Sequence, residues 1–537
     1  ESTAHSSLRR RRRRRRRRRM VSKGGGTSLP YYTGKRYYNA DGTSVILSRK
    51  RKQKPGIGTW CLAIALGFVI LLVLKANGDD DAKTILRRDD SDVWVEIHPD
   101  LSEKNTMHRE LHKRFHPHAE IRGKKQWIVS GKHGDGYAHM AMATVMANGT
   151  VLVAFQTSKE GEGKPDQHIA FAYGERKSED KISFGKVVRA PTAGGGGPGS
   201  SELGVVWSPV LHTCAETGKT FLFYSQSTKN CRAPGGDVKV IVLDPETQKW
   251  SAPETILPYS KGNINKVIAN TVTVTRDQKT WILPFWRERG RCDNTEVSPS
   301  AGVLISKDKG KTWKAHGSIT LPNTWLIEQS VVELTSKATN NGGGGGGDEN
   351  DHNNNISVNR IAMFCRTAAG HVFRIDSNDL GATWEHKAKP VLALPNPNAK
   401  LTMKTFGPSG RYRADGGGKN WIVAVMNDHK ELPQPYRRSR SKLRLIVSHD
   451  NGKSWTRLAS IEEGIKPGLR HHYPTLIPLP KFTYSGRESR GQDIVDEEGE
   501  IEYEALIVYS TFIMKGFDSK GVTEGIRATL VRMRLPD

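Results

Sequence analysis

Short runs rich in apolar and β-branched residues recur through the C-terminal part of the chain. Ala301–Ser306 and Leu443–Ser448 combine apolar residues with small or polar ones over six positions, and Val372–Ile375 is a shorter run of the same kind. Runs of this length and composition, bounded by turn-forming residues, predict β-strands. No long stretch with a 3.6-residue apolar period interrupts them, so the chain is predicted to be all-β in this region.

Each of these strands leads into an octet of the form Ser-x-Asp-x-Gly-x-Ser/Thr-Trp. The octets occupy residues 306–313, 377–384 and 448–455, so both intervals are 71 residues. An Asp side chain can accept hydrogen bonds from backbone N–H groups of a turn, Gly takes φ > 0, and the Trp packs beneath the turn. The octets are therefore predicted to be structural hairpin turns and not catalytic or calcium-binding acids.

Similar intervals counted back from Trp313 arrive at Trp250 and then at Phe184, which look like decayed copies. The 411 residues from Trp127 to the end hold about 5.8 such periods. A closed ring of four-stranded sheets uses such a period without leaving long exposed edges. The fold class predicted is therefore a six-bladed β-propeller over residues 126–537.

The last blade is predicted to contain Ala505–Tyr509 and Ile526–Arg532 together with a strand from near Trp127. Gly- and Asn-rich stretches are predicted to be inserted surface loops, at 193–201, 338–355, 407–420 and 484–499.

An apolar segment without charge, residues 57–74, predicts one transmembrane helix. Its 18 residues would span about 27 Å. Five basic residues precede it between Arg49 and Lys54, and Asp79–Asp81 follow it, so the N-terminus is predicted to face the cytosol. A cleaved signal peptide is the alternative; both send residues 78–537 into the secretory pathway or outside the cell. The short span favours early secretory membranes, including the Golgi.

The net charge of +27 is concentrated in the first 56 residues, which hold 19 basic and two acidic side chains. They are predicted to form a disordered cytosolic tail, and the modest charge of the remainder does not indicate nucleic-acid binding. The run Arg9–Arg19 directly precedes Met20, so residues 1–19 are expected to be a gene-model extension. A translated run would instead be solvated and would bind anionic partners.

Residues 75–125 are charged and predict a stem that holds the propeller off the membrane. Its four histidines are expected to be solvated, since no cysteine accompanies them at metal-ligand spacing; they are His108, His112, His116 and His118. No metal or cofactor is predicted, and the sequence does not indicate an oligomeric state.

Four cysteines follow the membrane segment and would lie in an oxidising compartment: Cys214, Cys231, Cys292 and Cys365. Of the three possible pairings, Cys214 with Cys231 is preferred. The sequons at Asn148 and Asn355 are candidate glycan sites, although Asn148-Gly149 is also typical of a hairpin turn.

The octets are identified as Asp-boxes, or bacterial neuraminidase repeats, and residues 127–537 resemble the sialidase superfamily. The resemblance implies a six-bladed propeller with its active site at the central axis. Four segments carry it further. Glu328 in Leu326–Leu334 resembles the partner of the nucleophile, Tyr473 in His471–Leu476 resembles the nucleophile, and Arg366 and Arg440 resemble arginines of a substrate-carboxylate clamp.

The first blade departs from the family pattern. His139, in Tyr137–Ala141, stands where sialidases carry the first clamp arginine, and this resembles a divergent sialidase-like branch that also has the segment Leu394–Asn398. Asn396 of that segment is a candidate substrate-binding residue. If His139 binds an acidic substrate as a cation, activity is expected to be acid-shifted.

A general acid is expected after the first hairpin, where Asp166 is preferred and Glu160 competes, with Glu160 otherwise contacting substrate. Without the resemblance, Asp166 reads equally well as a turn residue and Tyr473, ahead of Pro474, as a core residue.

The predicted function is that of a membrane-anchored glycoside hydrolase that removes terminal, acidic sugars from glycoconjugates. The main alternative is a catalytically inactive propeller that binds glycans or proteins at the same axial mouth; a polysaccharide lyase or a hydrolase for another sugar is a third.

Overall fold

The computed structural model describes two compact units, residues 1–99 and 100–537. The described residues are 37–38, 44–45, 116–130, 136–192, 204–227, 234–290, 297–334, 360–407, 420–481, 501–520 and 523–536. In the first unit these are two antiparallel strands, β1 (Tyr37–Tyr38) and β2 (Ser44–Val45). The predicted membrane segment and nearly all of the basic tail and stem lie outside the described residues. Within those residues, no helix has the length and apolar character needed to span a bilayer.

The second unit consists of six antiparallel β-sheets, which follow one another along the chain as the blades of a propeller. The first blade consists of β4 (Tyr137–Val145), β5 (Val151–Ser158), β6 (His168–Ser178) and β7 (Lys181–Phe184), with β8 (Val188–Arg189) beside β6. The second consists of β9 (Val206–Thr213), β10 (Thr220–Gln226), β11 (Asp237–Leu243) and β12 (Glu254–Leu257). The third consists of β13 (Asn265–Ile268), β15 (Trp281–Glu288), β16 (Ser300–Ser306) and β17 (Lys314–Ile319), with β14 (Thr273–Val274) beside β15.

The remaining three blades repeat the arrangement. The fourth consists of β18 (Ile327–Glu333), β19 (Ile361–Arg366), β20 (His371–Ser377) and β21 (Lys389–Pro395). The fifth consists of β22 (Thr402–Phe406), β23 (Trp421–Asn427), β24 (Leu443–Ser448) and β25 (Thr456–Glu462). The sixth consists of β26 (Leu469–Leu479), β27 (Ile501–Ile513), β28 (Gly525–Leu535) and β3 (His118–Ser130). The prediction of an all-β, six-bladed propeller is confirmed.

The ring is closed by β3, which comes from the start of the unit and pairs with β28 from its end. This pairing gives the sixth sheet its fourth, outermost strand and joins the two ends of the unit. The predicted strand near Trp127 is thus present, but it begins at His118, eight residues ahead of the predicted boundary at 126. Residues 118–125 belong to the blade and not to a stem, because residues 118–122 pair with Leu530–Arg534, across a bulge from the pairing of Trp127 with Arg527.

Each pair of adjacent blades shares one apolar cluster, so six clusters complete the circle. Large side chains mark the clusters in order around the ring: Phe171, Phe285, Met363, Phe364, Tyr509 and Phe155. Strands covered on both faces explain the nearly continuous apolar runs in the sequence. Because burial of this surface requires a neighbour on each side, the blades stabilise one another.

The octets form hairpin turns of one geometry. In the last, the Asp450 carboxylate accepts hydrogen bonds from Ser448 Oγ (2.8 Å), Ser454 N (2.9 Å) and Ser454 Oγ (2.6 Å), and Gly452 has φ of 81°. The Trp455 ring meets Phe364 of the preceding blade edge-on, with centroids 5.9 Å apart. The Asp-boxes thus fasten each turn and pack it against the blade before it. Trp250, in a decayed copy, stacks on Phe171 in the same sense.

The cysteine prediction is wrong for Cys214. Cys214 and Cys365 are free and buried, and Cys214 packs among Val210 and Phe221 in the cluster between the second and third blades. Because Cys214 is a free thiol, it is not paired with Cys231, which itself lies outside the described residues, as do Cys292 and Asn355. Asn148 lies exposed in the turn between β4 and β5, where its Oδ1 accepts a hydrogen bond from Thr150 N (3.1 Å). The predicted surface loops fall almost entirely outside the described residues.

Replacement of Asp450 by Asn is expected to lower the free energy of unfolding by about 1 kcal/mol, since one charged acceptor of the turn is lost. Burial alone would raise the pKa of Asp450, but hydrogen bonds from Ser454 and Ser448 lower it to about 2, below its ordinary 3.8. The stabilisation is therefore present above about pH 4 and is lost as pH falls toward 2. Denaturant unfolding of both proteins at pH 7 and pH 2.5 checks this. The exposed variant Glu385→Gln is the control, and an equal difference at both pH values would contradict the prediction.

Candidate active site

Four of the innermost strands carry an irregularity at the same level of the propeller. The register of each against its neighbour shifts by a bulge, in β4, β9, β18 and β26. Within each bulge one residue other than Gly has a left-handed backbone: Met140, Ser208, Glu328 and Tyr473, with φ between 50° and 56°. Bulges redirect side chains, and strained backbone of this kind clusters at functional sites. Two of the four residues were predicted to act in the site.

Tyr473, Glu328 and Arg366 form a closed triangle of hydrogen bonds. The Tyr473 hydroxyl donates to Glu328 Oε1 (2.6 Å), and one nitrogen, Nη1 of Arg366, donates to both Glu328 Oε2 (2.7 Å) and the Tyr473 hydroxyl oxygen (2.7 Å). All three are buried, with 4–8% of each residue exposed. They come from β26, β18 and β19, so residues 145 positions apart in sequence are brought into contact, as predicted.

The Tyr473 phenol is neutral and the Arg366 guanidinium is charged in this environment. Burial raises the pKa of Tyr473, the Glu328 carboxylate adds to the effect, and the Arg366 charge opposes it. For Arg366, burial alone would lower the pKa, but Glu328 and Tyr473 raise it above its ordinary value. A phenol in this state reacts as a nucleophile only if its proton is removed, and Glu328 Oε1 is the acceptor already in place.

Arg366 also has a free edge. Its Nε donates to Asn398 Oδ1 (2.7 Å), and its Nη1 is used by the triangle. Its Nη2 makes no hydrogen bond with the described part of the chain. A guanidinium fixed at two nitrogens presents the third in a defined direction, which suits an anionic ligand.

Arg440 lies beside this group, buried to 8% exposure. Its Nη1 contacts His472 Nδ1 at 2.8 Å, and no carboxylate among the described residues lies within salt-bridge distance of it. Burial and the neighbouring charge of Arg366 lower its pKa to about 9, so it remains a cation at neutral pH. A buried guanidinium without a carboxylate is costly unless an anion joins it.

His139 lies in the site but not as a cation. Its Nδ1 is 3.0 Å from Ser510 Oγ, and its ring packs against the rings of Tyr473 and His472. Burial and the charges of Arg440 and Arg470 hold the pKa of His139 well below its ordinary value. The imidazole is therefore neutral across the physiological range, and the expected acid shift through its protonation does not follow.

Arg470 is a residue of the site that the sequence reasoning missed. It begins the strand that carries Tyr473, and its Nε donates to the backbone oxygen of Arg438 (3.2 Å) while its guanidinium lies over the Phe512 ring. Its charge acts on both His139 and Tyr473. Three guanidinium groups thus face this region, although the first blade supplies none. Its position three residues before Tyr473 is the feature of the sequence that could have indicated its place near the site.

The structure places the two predicted acid candidates outside this group. Asp166 Oδ2 accepts a hydrogen bond from Lys159 N (2.9 Å) within the loop between β5 and β6, and Glu160 forms an exposed ion pair with Lys164 (2.7 Å). Both side chains therefore bond to other residues of this loop, Lys159 and Lys164, and not to the triangle.

Glu162, between the two, is the carboxylate that acts on the site. Its Oε1 accepts a hydrogen bond from Gln156 Nε2 (3.0 Å). The residue has solvent-accessible surface, but protein occupies most of the space around its carboxylate. This enclosure raises the pKa of Glu162, with the Glu328 charge acting in the same direction. The flanking Gly161 and Gly163, both with φ > 0, allow the chain to turn it inward.

Asn396 supports the site from within its loop. Its amide is fully buried and exchanges two hydrogen bonds with the Ala399 backbone, at 2.8 and 3.0 Å. This ring of bonds holds Asn398, with φ of 58°, against Arg366. Lys400, also buried, donates to the backbone oxygen of Pro474 (2.6 Å), next to Tyr473. Among the described residues, no group of His, Cys, Asp and Glu is arranged to hold a metal ion.

The comparisons with known proteins agree with this fold. Residues 149–512 match the model of the BNR repeat-like domain, and the chain belongs to that family. It is a BNR-repeat propeller.

Similar solved structures include the sialidase NanB of Streptococcus pneumoniae, as its K499G mutant. It is 12% identical, with 76% of this chain and 70% of that chain covered and a TM-score of 0.50. The Hadza microbial sialidase Hz136 is 14% identical over 73% and 69% of the chains, with a TM-score of 0.49. The Trypanosoma rangeli sialidase with the inhibitor DANA is 12% identical over 74% and 55%, with a TM-score of 0.45. A search of the curated proteins finds no match.

Replacement of Arg366 by Gln is expected to lower the free energy of unfolding by about 3–5 kcal/mol, because it leaves the Glu328 carboxylate buried without its cation. The double variant Arg366→Gln with Glu328→Gln is expected to recover part of that loss. Denaturant unfolding of the wild type, both single variants and the double variant measures the coupling. Additive losses would show that the two side chains do not interact in the folded protein.

Proposed function

We propose that this chain is a glycoside hydrolase of the sialidase type, which removes a terminal acidic sugar with retention of configuration. The observation that carries the proposal is the buried triangle of Tyr473, Glu328 and Arg366, bordered by the unpaired cation Arg440. A hydroxyl that donates to a carboxylate, with cations around it, is what a tyrosine nucleophile for an anionic sugar requires.

In the first step the Tyr473 oxygen attacks the anomeric carbon of the sugar while its proton passes to Glu328 Oε1. The bond from the anomeric carbon to the aglycone oxygen breaks, and a glycosyl-tyrosine is formed. A neutral phenol suits this reaction because an aspartate or glutamate nucleophile would be repelled by the carboxylate of the sugar. Water then attacks the anomeric carbon and loses a proton to the Glu162 carboxylate, while the bond to the Tyr473 oxygen breaks and Glu328 returns its proton to that oxygen.

The carboxylate of the sugar is bound by Arg366 and Arg440, with Arg470 as the third guanidinium. Arg366 offers its free Nη2, and Arg440 offers the nitrogens that His472 does not occupy. His139 contributes a neutral ring that packs against Tyr473 and fixes the nucleophile. The charge of the clamp therefore does not depend on a histidine, and it is retained below about pH 9, the pKa of Arg440.

Glu162 is the general acid that protonates the departing aglycone oxygen. The raised pKa that it owes to its enclosure and to Glu328 keeps a larger fraction of it protonated near neutral pH than an exposed glutamate would have. Because the acid form is the active one, the rate is expected to fall as pH rises through this pKa.

The proposal includes a single membrane span at residues 57–74, with the propeller in the secretory lumen or outside the cell and glycoconjugates as substrates. The charge asymmetry around the span supports this orientation. Protection of the propeller from protease in sealed microsomes is the expected result, and its digestion from the cytosolic side would contradict the orientation.

Tyr473→Phe is expected to lower kcat/KM on a fluorogenic sialoside by about 10³-fold or more, and Glu328→Gln by about 10²–10⁴-fold, with folding retained. Tyr509→Phe is a matched control, since its hydroxyl contacts Glu462 in the blade core. Release of the fluorophore is the measurement, with thermal melting to verify folding. Full activity of Tyr473→Phe would remove this residue from the reaction, and saturable glycan binding without turnover by the wild type would favour the inactive propeller.

Glu162→Gln is expected to lower kcat/KM by about 10²-fold or more on sialyllactose. It should change kcat/KM little on a 4-methylumbelliferyl sialoside, because that aglycone leaves without protonation. The alkaline limb of the pH profile should disappear in the same variant. Asp166→Asn and Glu160→Gln are the controls and should resemble the wild type on both substrates. An equal loss of Glu162→Gln on both substrates would exclude the acid role.

A further inference from the structure

A cavity of about 390 Å³ lies beside the proposed sugar site, between the fourth and fifth blades and the start of β26. It shares Arg440 and Arg470 with that site and extends away from it toward Arg437 and Arg438. The wall on the side of the fourth blade is formed by the loop that holds Asn398 against Arg366. Tyr473 and Glu328 do not line it, so the cavity is an extension of the site and not its reactive centre.

The charges that line this cavity are strongly unbalanced. Four guanidinium groups face it, and its single carboxylate, Glu431, pairs with Arg437 at 3.3 Å. None of the described carboxylates lies within salt-bridge distance of Arg438, Arg440 or Arg470. Burial and the charges of Arg366 and Arg438 lower the pKa of Arg470, which reflects this repulsion. Cations held together without partners indicate a site for anions.

Backbone hydrogen bonds hold the segment of Arg438 and Arg440 against the start of β26, which carries Arg470. Arg438 has φ of 64°, a conformation that a residue other than Gly adopts at a cost, and its carbonyl oxygen accepts the hydrogen bond from Arg470 Nε. Arg440 is tied to β26 by bonds from its N to Leu469 O (2.9 Å) and from His471 N to its O (2.8 Å). The arginine segment and the nucleophile strand are therefore joined directly.

One sugar carboxylate does not use all of these cations. Arg366 and Arg440, with Arg470, face the Tyr473 region, whereas Arg437 and Arg438 lie exposed at the outer end of the cavity. Together these observations point to two anionic groups bound side by side.

We propose that the cavity is a second anion-binding subsite, which holds a carboxylate or sulfate group on another residue of the same glycan. The inference rests on the proposed function and deepens it: the preferred substrate is a polyanionic glycan, in which the terminal acidic sugar neighbours a second charged residue. A glycan with only one charge leaves Arg437 and Arg438 unused and binds less tightly.

The test is calorimetric binding by the full chain carrying Tyr473→Phe, so that no turnover occurs during titration. The probes are the methyl glycoside of N-acetylneuraminic acid, with one charge, the methyl glycoside of its α2,8-linked disaccharide, with two carboxylates, and a 6-sulfated sialyl-galactoside. The variants are the double variant Arg437→Gln with Arg438→Gln and the control Arg534→Gln. Arg534 lies at the C-terminal end of β28, whereas the other end of that strand pairs with Ser510, which contacts His139 of the site.

The double variant is expected to bind one or both dianionic probes about tenfold or more less tightly and the monoanionic probe unchanged, and the control variant to bind all three as before. The probe that responds identifies the second group as a carboxylate or a sulfate. Unchanged binding of both dianionic probes, with Arg440→Gln still abolishing binding of the monoanionic one, would overturn the subsite alone. Failure of the parent protein to bind any probe would overturn the subsite and the proposed function together.

Discussion

The contact of Tyr473 and Arg366 with the buried carboxylate of Glu328 is the interaction on which the site depends. A carboxylate so far from solvent is tolerated only with a cation and hydrogen-bond donors in good geometry, and Arg366 and Tyr473 supply both. The same site sets the chemistry, because burial and the Glu328 charge raise the pKa of the Tyr473 phenol, and a proton acceptor, Glu328 Oε1, lies 2.6 Å away. Stability and reactivity at this point are two consequences of one arrangement.

That arrangement exists only because the ring is closed. Tyr473, Glu328 and Arg366 belong to the fourth and sixth blades, and the loop that positions Arg366 leads into the fifth. Three features fix their relative positions: the apolar clusters between blades, the Asp-box turns that pack each blade on its neighbour, and the strand β3 that joins the two ends. The bulges at Glu328 and Tyr473 then turn these side chains toward one another.

The sequence predicts the parts of this structure that repeat or that follow from local chemistry. The 71-residue interval defines the blades, and the four residues that the family resemblance selects lie together in the folded chain: Tyr473, Glu328, Arg366 and Arg440. It does not predict which of Glu160, Glu162 and Asp166 turns toward the site, because that depends on the path of the nine-residue loop between β5 and β6. The sequence also does not predict that His139 is neutral, because its burial and its proximity to the charges of Arg440 and Arg470 exist only in the folded ring.

The most direct test of the central claim is to trap the glycosyl-enzyme on the full chain with 2,3-difluoro-N-acetylneuraminic acid. Fluoride departs from the anomeric carbon as the nucleophile attacks, and the second fluorine slows hydrolysis of the product. Intact mass spectrometry followed by peptide sequencing is expected to show one added sugar, attached to the oxygen of Tyr473. An adduct on another side chain, or saturable binding without any adduct, would contradict the role assigned to the triangle.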